Sequence, residues 1–139
     1  MFVLDSRLQQ DCLVLGDLPL CRVLLSRDAN YPWFILVPRR ADICEVFDLK
    51  EVDQQQLWRE VTALAAALKL EFTADKMNVA TLGNVVSQLH VHVVVRHRAD
   101  VAWPAPIWGK VPALDYPAGA VDEVRRRVAA LALDGFEEA

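Results

Sequence analysis

The chain has 139 residues, an apolar content of 54% and a formal net charge of −4. That length supports one core, hence one domain over 1–139, and the apolar share excludes a disordered chain. The acidic balance argues against a broad nucleic-acid-binding surface, and no apolar run approaches the roughly 20 residues that a bilayer span needs. Residues 2–10 read as a short N-terminal helix with Phe2, Leu4 and Leu8 as its apolar members. They lack a basic start followed by an apolar block, so no signal peptide is expected and a cytoplasmic location follows. Cys12, Cys21 and Cys44 are odd in number and widely spaced, which reads as small buried hydrophobes rather than disulfides or zinc ligands.

Cys12 to Leu15 is a short strand, and Gly16-Asp17 is a turn signal before Leu18-Pro19. Leu20 to Ser26 reads as a second strand, antiparallel to the first. Residues 27–32, polar and ending in Pro32, form a loop. Trp33 to Val37 is a third, wholly apolar strand stopped by Pro38, which suggests a central strand covered on both faces. Asp42 could cap a short turn through Phe47. Asp48, with Glu51 three residues on, has capping-box spacing for the helix that follows. From about Val52 to Leu70, Leu57, Val61, Leu64, Ala65 and Leu68 recur at three- and four-residue steps, and this is the one long helix. Lys76 to Thr81 is a fourth strand, and residues 82–87 a loop.

Gln88 to Val95 follows as the fifth strand, rich in β-branched residues. Successive strand side chains alternate faces, so Leu89, Val91, Val93 and Val95 form an apolar row while Gln88, His90, His92 and Arg96 share the opposite face. Beyond it, residues 99–117 hold four prolines and the tryptophans Trp103 and Trp108, an irregular but ordered arm that packs on something, a second subunit being one option. Val121 to Leu133 closes the chain as an amphipathic helix. The sum is an α+β domain with about five mostly antiparallel strands, one long helix and peripheral helices.

Three readings of the histidine face stand beside one another. It is a plain polar surface; it is half of a metal site, lacking a third ligand because no Asp or Glu lies in the strand; or it does phosphoryl chemistry. For the last, a neutral imidazole is a competent nucleophile at pH 7, and its attack on phosphorus splits one displacement into two. Arg96, Gln88, His92 and the backbone N–H groups near Gly83 would then serve as donors to phosphate oxygens, with no metal or other cofactor required. His97 has the opposite strand parity and reads as a strand-end residue.

The Gln88-Leu89-His90-Val91-His92-Val93-Val94 stretch resembles the motif of the histidine triad (HIT) family, His-φ-His-φ-His-φ-φ with φ apolar, carrying Gln in the first position. The resemblance extends to the Phe34–Pro38 strand, the long helix, Asn78 and the tryptophan-rich arm. It is strongest to compact bacterial HIT hydrolases similar to diadenosine tetraphosphate hydrolase. It implies the HIT-like fold and a nucleotide hydrolase or transferase in which His90 attacks the α-phosphate and carries a transient nucleotidyl group. It implies that His92 binds a phosphate oxygen, that Gln88 supports the site without titrating, and that Asn78 and Asn84 contact phosphate or orient the leaving group. It also implies ribose binding near Asp28, a homodimer joined through the long helix and an edge strand, and Trp103 or Trp108 walling a leaving-group pocket. A fourth family histidine is replaced by Trp33. The substrate would be a small nucleotide conjugate (a phosphoramidate, an adenylylated compound or a dinucleoside polyphosphate). The alternative is a nucleotide-binding sensor or interaction module with little turnover.

Overall fold

The computed structural model describes residues 1–139. In chain order the elements are α1 (Ser6–Asp11), β1 (Cys12–Asp17), β2 (Cys21–Ser26), β3 (Trp33–Pro38), α2 (Glu51–Glu71), β4 (Lys76–Ala80), β5 (Val91–Arg96), α3 (Ala120–Ala130) and β6 (Glu137–Glu138), with a 3₁₀ turn at Val46–Asp48. The strands form one sheet in the order β4-β5-β3-β2-β1-β6, antiparallel throughout. The sheet has six strands rather than the expected five, because Glu137 and Glu138 pair with Asp17 and Gly16.

That sixth strand explains Gly16. It does not make the expected turn; it lies inside β1, where a Cβ would collide with the Glu137 carbonyl oxygen and come within 2.7 Å of the Phe136 ring. Glycine is there because another backbone passes close by.

The apolarity of β3 has the anticipated cause. Its Phe34 and Leu36 enter the main core with Val91, Val93 and Val95 of β5 and Leu57, Val61, Leu64 and Leu68 of α2. Its Ile35 and Val37 face the other way, against Leu4, Leu8 and Cys12. One sheet face is thus covered by α2 and α3, whose Val124 and Val128 join the main core, and the other by the N-terminal segment. Glu60, on the same helix, is also buried; its carboxylate accepts the Leu20 and Cys21 N–H groups at 2.8 Å each and the Gln56 amide. It fastens the helix to the start of β2.

The α2 N-terminus departs from expectation. The helix begins after Lys50, and Asp48 instead accepts the Cys44 and Glu45 N–H groups, closing the 3₁₀ turn. The acidic Glu51 and Asp53 in the first turn favour the helix dipole in place of a side-chain cap. Asp42 caps nothing and takes a left-handed backbone (φ 59°). Cys12 and Cys21 are buried as expected, but Cys44 is exposed. No helix is long and apolar enough to cross a membrane.

The 99–117 arm packs on its own chain. Ala102 and Ile107 are buried against Tyr31 and Val94, on the face of the sheet opposite α2. The Leu114 carbonyl accepts the Ala29 N–H.

Candidate active site

The alternation from Leu89 into β5 puts one leucine and three valines into the core and two histidines on the opposite face. Leu89, Val91, Val93 and Val95 are all core members, while His90 and His92 line a cleft of about 330 Å³. That volume is within the range of small-molecule sites. Regular pairing begins only at Val91, which faces Leu36 of β3, so Gln88 to His90 precede the strand.

The cleft is built from six parts of the chain. β5 contributes His92, with His90 just before the strand, and β3 contributes Trp33 and Ile35. The 82–86 loop contributes Gly83, whose φ of 77° suits glycine, and Asn84. The arm contributes Trp108. The lining is completed by Ser26, the last residue of β2, by Arg7, Leu8 and Asp11 of α1, and by Cys12 at the start of β1.

Both imidazoles are only about 6% exposed, so they are reached through the cleft. Their centroids are 4.9 Å apart, with the planes at 73°. Each ring has its Nδ1 occupied, and the two partners impose opposite proton positions. His90 Nδ1 lies 2.7 Å from the Gln88 carbonyl oxygen. A carbonyl only accepts, so Nδ1 carries the proton and Nε2 of the neutral ring keeps its lone pair. His92 Nδ1 lies 3.0 Å from the Trp33 indole nitrogen. An indole N–H only donates, so this Nδ1 is the lone-pair atom and the proton sits on Nε2.

His92 is enclosed by His90, by Trp33 at a centroid distance of 5.7 Å and by Trp108 at 5.0 Å. Burial first, and repulsion from His90 second, push its imidazolium down to about 4. An unfolded chain therefore takes up a proton at this position as pH falls below about 6.5, and the folded chain resists until about 4. The unfolded state binds more protons in that window, so stability declines as pH drops through it, by on the order of 3 kcal/mol in total. Urea denaturation of wild type and His92→Gln at pH 7 and pH 4 measures this. The substitution is expected to remove most of the decline, and an unchanged decline would place its origin elsewhere.

Several residues on the same strand face or in nearby loops do not enter the cleft. The Gln88 side chain accepts the Asp5 N–H at 2.8 Å and donates to the Val3 carbonyl at 2.9 Å, holding the N-terminal segment. Arg96, expected as a donor to phosphate, is buried with its guanidinium committed. It donates to both Asp100 carboxylate oxygens (2.7 and 3.1 Å), to Asn78 Oδ1 (2.8 Å) and to the Ala105 carbonyl (2.8 Å), between the rings of Tyr31 and Trp103. Asn78 and Trp103 are thereby grouped with Arg96, outside the cleft. The Asp28 carboxylate accepts from Asn30 and from the Leu114 N–H, tying its loop to the arm. His97 ends β5 with Nε2 donating to the Phe72 carbonyl.

Of the expected set, the fold brings together His90, His92, Gly83 and Asn84. Trp108 rather than Trp103 reaches the histidines, and Ser26 rather than Asp28 lines the cleft. Arg7, Asp11 and Ser26 went unread; the alternation of β2 and the 3.6-residue period of α1 were the only signals that bore on them.

A larger hollow of about 470 Å³ lies between α2 and the C-terminal residues. Its one buried carboxylate, Glu60, already has its oxygens engaged by three donors, so it offers no comparable set of free groups. No third His, Cys, Asp or Glu groups with His90 and His92 to complete a metal-ligand set.

Residues 7–99 match the family model of the HIT domain. Among solved structures, a histidine triad protein from Bradyrhizobium japonicum is 46% identical with a TM-score of 0.91, over 93% of this chain and 96% of that one. A histidine triad protein from Marinobacter aquaeolei is 45% identical with a TM-score of 0.92, over 94% and 96%. One from Sinorhizobium meliloti is 44% identical with a TM-score of 0.91, over the same shares. No protein of curated function matches the chain.

Proposed function

The chain belongs to the HIT domain family, whose members are typically nucleotide hydrolases or transferases, and from that premise we propose that it cleaves a nucleotide conjugate at the α-phosphate through a transient nucleotidyl-His90. The observation that carries this reading is the Gln88 carbonyl at His90 Nδ1, which leaves Nε2 as a lone pair inside the cleft. His92, proton on Nε2, is the complementary donor to a non-bridging phosphate oxygen. Asn84 and the backbone at Gly83 line the same cleft as further donors, and Ser26 and Asp11 offer polar groups to the nucleoside end. Arg96, Asn78, Gln88, Asp28 and Trp103 support this machinery from behind: each ties down a segment that carries or flanks a wall of the cleft.

Attack by Nε2 forms an N–P bond as the bond from phosphorus to the leaving group breaks, and the positive charge on the adduct ring is shared through Nδ1–H with the Gln88 oxygen. Water then displaces the imidazole from phosphorus and loses a proton to solvent. The ring returns with its lone pair. A diadenosine tetraphosphate hydrolase-like member with Gln88 as the first motif residue is the subtype we propose, and it suits this sequence of steps because neither step asks Gln88 to titrate. The competing reading, a nucleotide-binding module with little turnover, draws on the same Gln88, whose side chain serves the N-terminal segment.

We extend the proposal to a homodimer joined across β4. That strand is an open sheet edge with Val79 exposed, a surface able to pair with a second copy. Mass spectrometry tests both points. After a brief acid quench with diadenosine tetraphosphate, wild type is expected to gain the mass of one AMP and His90→Ala none. Under native conditions the protein is expected at twice its 15.6 kDa chain mass. Nucleotide binding with neither adduct nor AMP release would favour the binding module.

A further inference from the structure

We propose that this site is specialised for conjugates whose leaving group departs as a stable anion, such as phosphoanhydrides and acyl or aryl phosphates, and that Trp33 imposes this choice by holding His92 as a fixed N–H donor. The inference rests on the nucleotidyl-His90 reading above and deepens it.

The choice of leaving group turns on which residue could supply a proton. When His90 Nε2 attacks phosphorus, the electron pair of the breaking bond goes to the leaving group. A polyphosphate, carboxylate or nitrophenolate accepts that pair and leaves unprotonated. An amine does not, because expelling it from a phosphoramidate requires a proton on nitrogen as the bond breaks. A proton donor for that step has to stand in the cleft in its acidic form.

The ionisable side chains lining the cleft are Arg7, Asp11, Cys12, His90 and His92. His90 is the attacking group. Arg7 and Asp11 sit on α1, and Cys12 is at the start of β1, three strands from β5 in the sheet order. A guanidinium does not give up its proton in proteins and an ionised carboxylate only accepts, so neither type of side chain supplies a proton at neutral pH. Cys12 is also held as a neutral thiol, pushed up to about 12 mainly by burial. Only His92 remains.

His92 could act as an acid only as an imidazolium, and Trp33 opposes that form directly. The indole N–H points at His92 Nδ1 from 3.0 Å, where an imidazolium would need an acceptor. Protonating Nδ1 would set two donors face to face with no water between them, since Trp108 and His90 close the other sides of the ring. A carboxylate or imidazole in Trp33's place would pass a proton on. An indole cannot. Gln88, the other polar residue on this strand face, is turned to Val3 and Asp5 and does not titrate. His92 can therefore stabilise charge on a phosphate oxygen and cannot protonate a leaving group.

Three AMP conjugates with one nucleotide and different leaving groups test this: diadenosine tetraphosphate, the p-nitrophenyl ester of AMP, and an alkylamine phosphoramidate of AMP. Wild type is expected to turn over the first two with a His90 adduct and the phosphoramidate roughly 10²- to 10⁴-fold more slowly in kcat/KM, the range that a missing general acid costs. Trp33→His, which restores a titratable partner, is expected to raise the phosphoramidate-to-ester ratio at least about tenfold. Ring-nitrogen NMR of His92 is expected to show an unprotonated Nδ1 in wild type throughout the neutral range and loss of that fixed tautomer in Trp33→Phe. A wild-type phosphoramidate rate within tenfold of the anhydride, or a protonated His92 Nδ1, would overturn the inference and leave the His90 mechanism standing. Failure of all three conjugates to form an adduct would remove the mechanism and the inference together.

Discussion

Replacing His90 by glycine is expected to lower kcat by on the order of 10⁴-fold or more, with partial recovery on adding free imidazole. The first figure follows from what deletion of an attacking side chain costs when binding groups are left in place. The recovery is the more diagnostic half. His90 sits in a tight box beside His92, and its removal leaves a hole bounded by the Gln88 carbonyl on one side and the His92 ring on the other. A free imidazole entering that hole meets the same carbonyl, which favours the same tautomer and points the other nitrogen's lone pair at the phosphorus. AMP-imidazole should then be released as a free product, detectable by chromatography. The same imidazole added to His92→Gln should do nothing, because there the attacking ring is intact and the missing group is a donor. Full activity in His90→Gly would move the attacking role off this residue. A loss without rescue, alongside unchanged nucleotide affinity, would favour the binding module.

The histidine strand was legible because its information is local. A period of two over Leu89 to Val95 divides the residues into a core row and a polar row with no help from the rest of the chain. The central place of β3 was legible for the same reason, as was the long helix. What the sequence hid depends on partners outside the strand, far along the chain for Gln88 and in β4 and the loop after β5 for Arg96. Gln88 and Arg96 share a face with the histidines, so parity assigned them to the same site. Their actual partners are Val3 and Asp5 for one, and Asn78, Asp100 and Ala105 for the other. No local pattern announces a hydrogen bond spanning more than eighty residues. The arm was open in a related way. Four prolines mark it as irregular, but whether such a segment covers its own sheet or a neighbour's is decided by packing of Ala102 and Ile107 on Tyr31 and Val94. The sixth strand was hidden because a two-residue ladder has no period at all, and its one trace, Gly16, imitates a turn.

Arg96→Met is expected to be the most destabilising single change away from the hydrophobic core, costing about 3–5 kcal/mol. The reason is the state in which it leaves Asp100. Burial alone would raise that carboxyl, but the Arg96 guanidinium, helped by the N–H groups of His97, Ala102 and Trp103, outweighs burial and holds it below its ordinary value. With the guanidinium gone, the carboxylate is buried and unpaired, Asn78 and the Ala105 carbonyl lose a donor, and Trp103 and Tyr31 lose the cation between their rings. A typical domain has only about 5–15 kcal/mol of stability, so much of the native margin would go. The double variant Arg96→Met/Asp100→Asn separates the causes. Removing the charge should restore part of the loss, because the remaining N–H groups can satisfy a neutral amide oxygen. The linkage has a definite sign in wild type. A carboxyl whose folded value is depressed contributes stability above its unfolded value of about 3.9, and that contribution is lost as pH falls through the lower, folded value. Arg96→Met should therefore lie closest to wild type in strong acid and furthest from it at neutral pH, as read by urea denaturation across that range. The effect also reaches the active site. The arm that Arg96 fastens through Asp100 and Ala105 is the segment that brings Trp108 to 5.0 Å from His92. Turnover in the variant should fall steeply with temperature before global unfolding, as the arm lifts and the His92 ring is wetted. A stability loss under 1 kcal/mol would mean that the apolar contacts of Ala102 and Ile107 hold the arm unaided and that the buried ion pair is neutral in net effect.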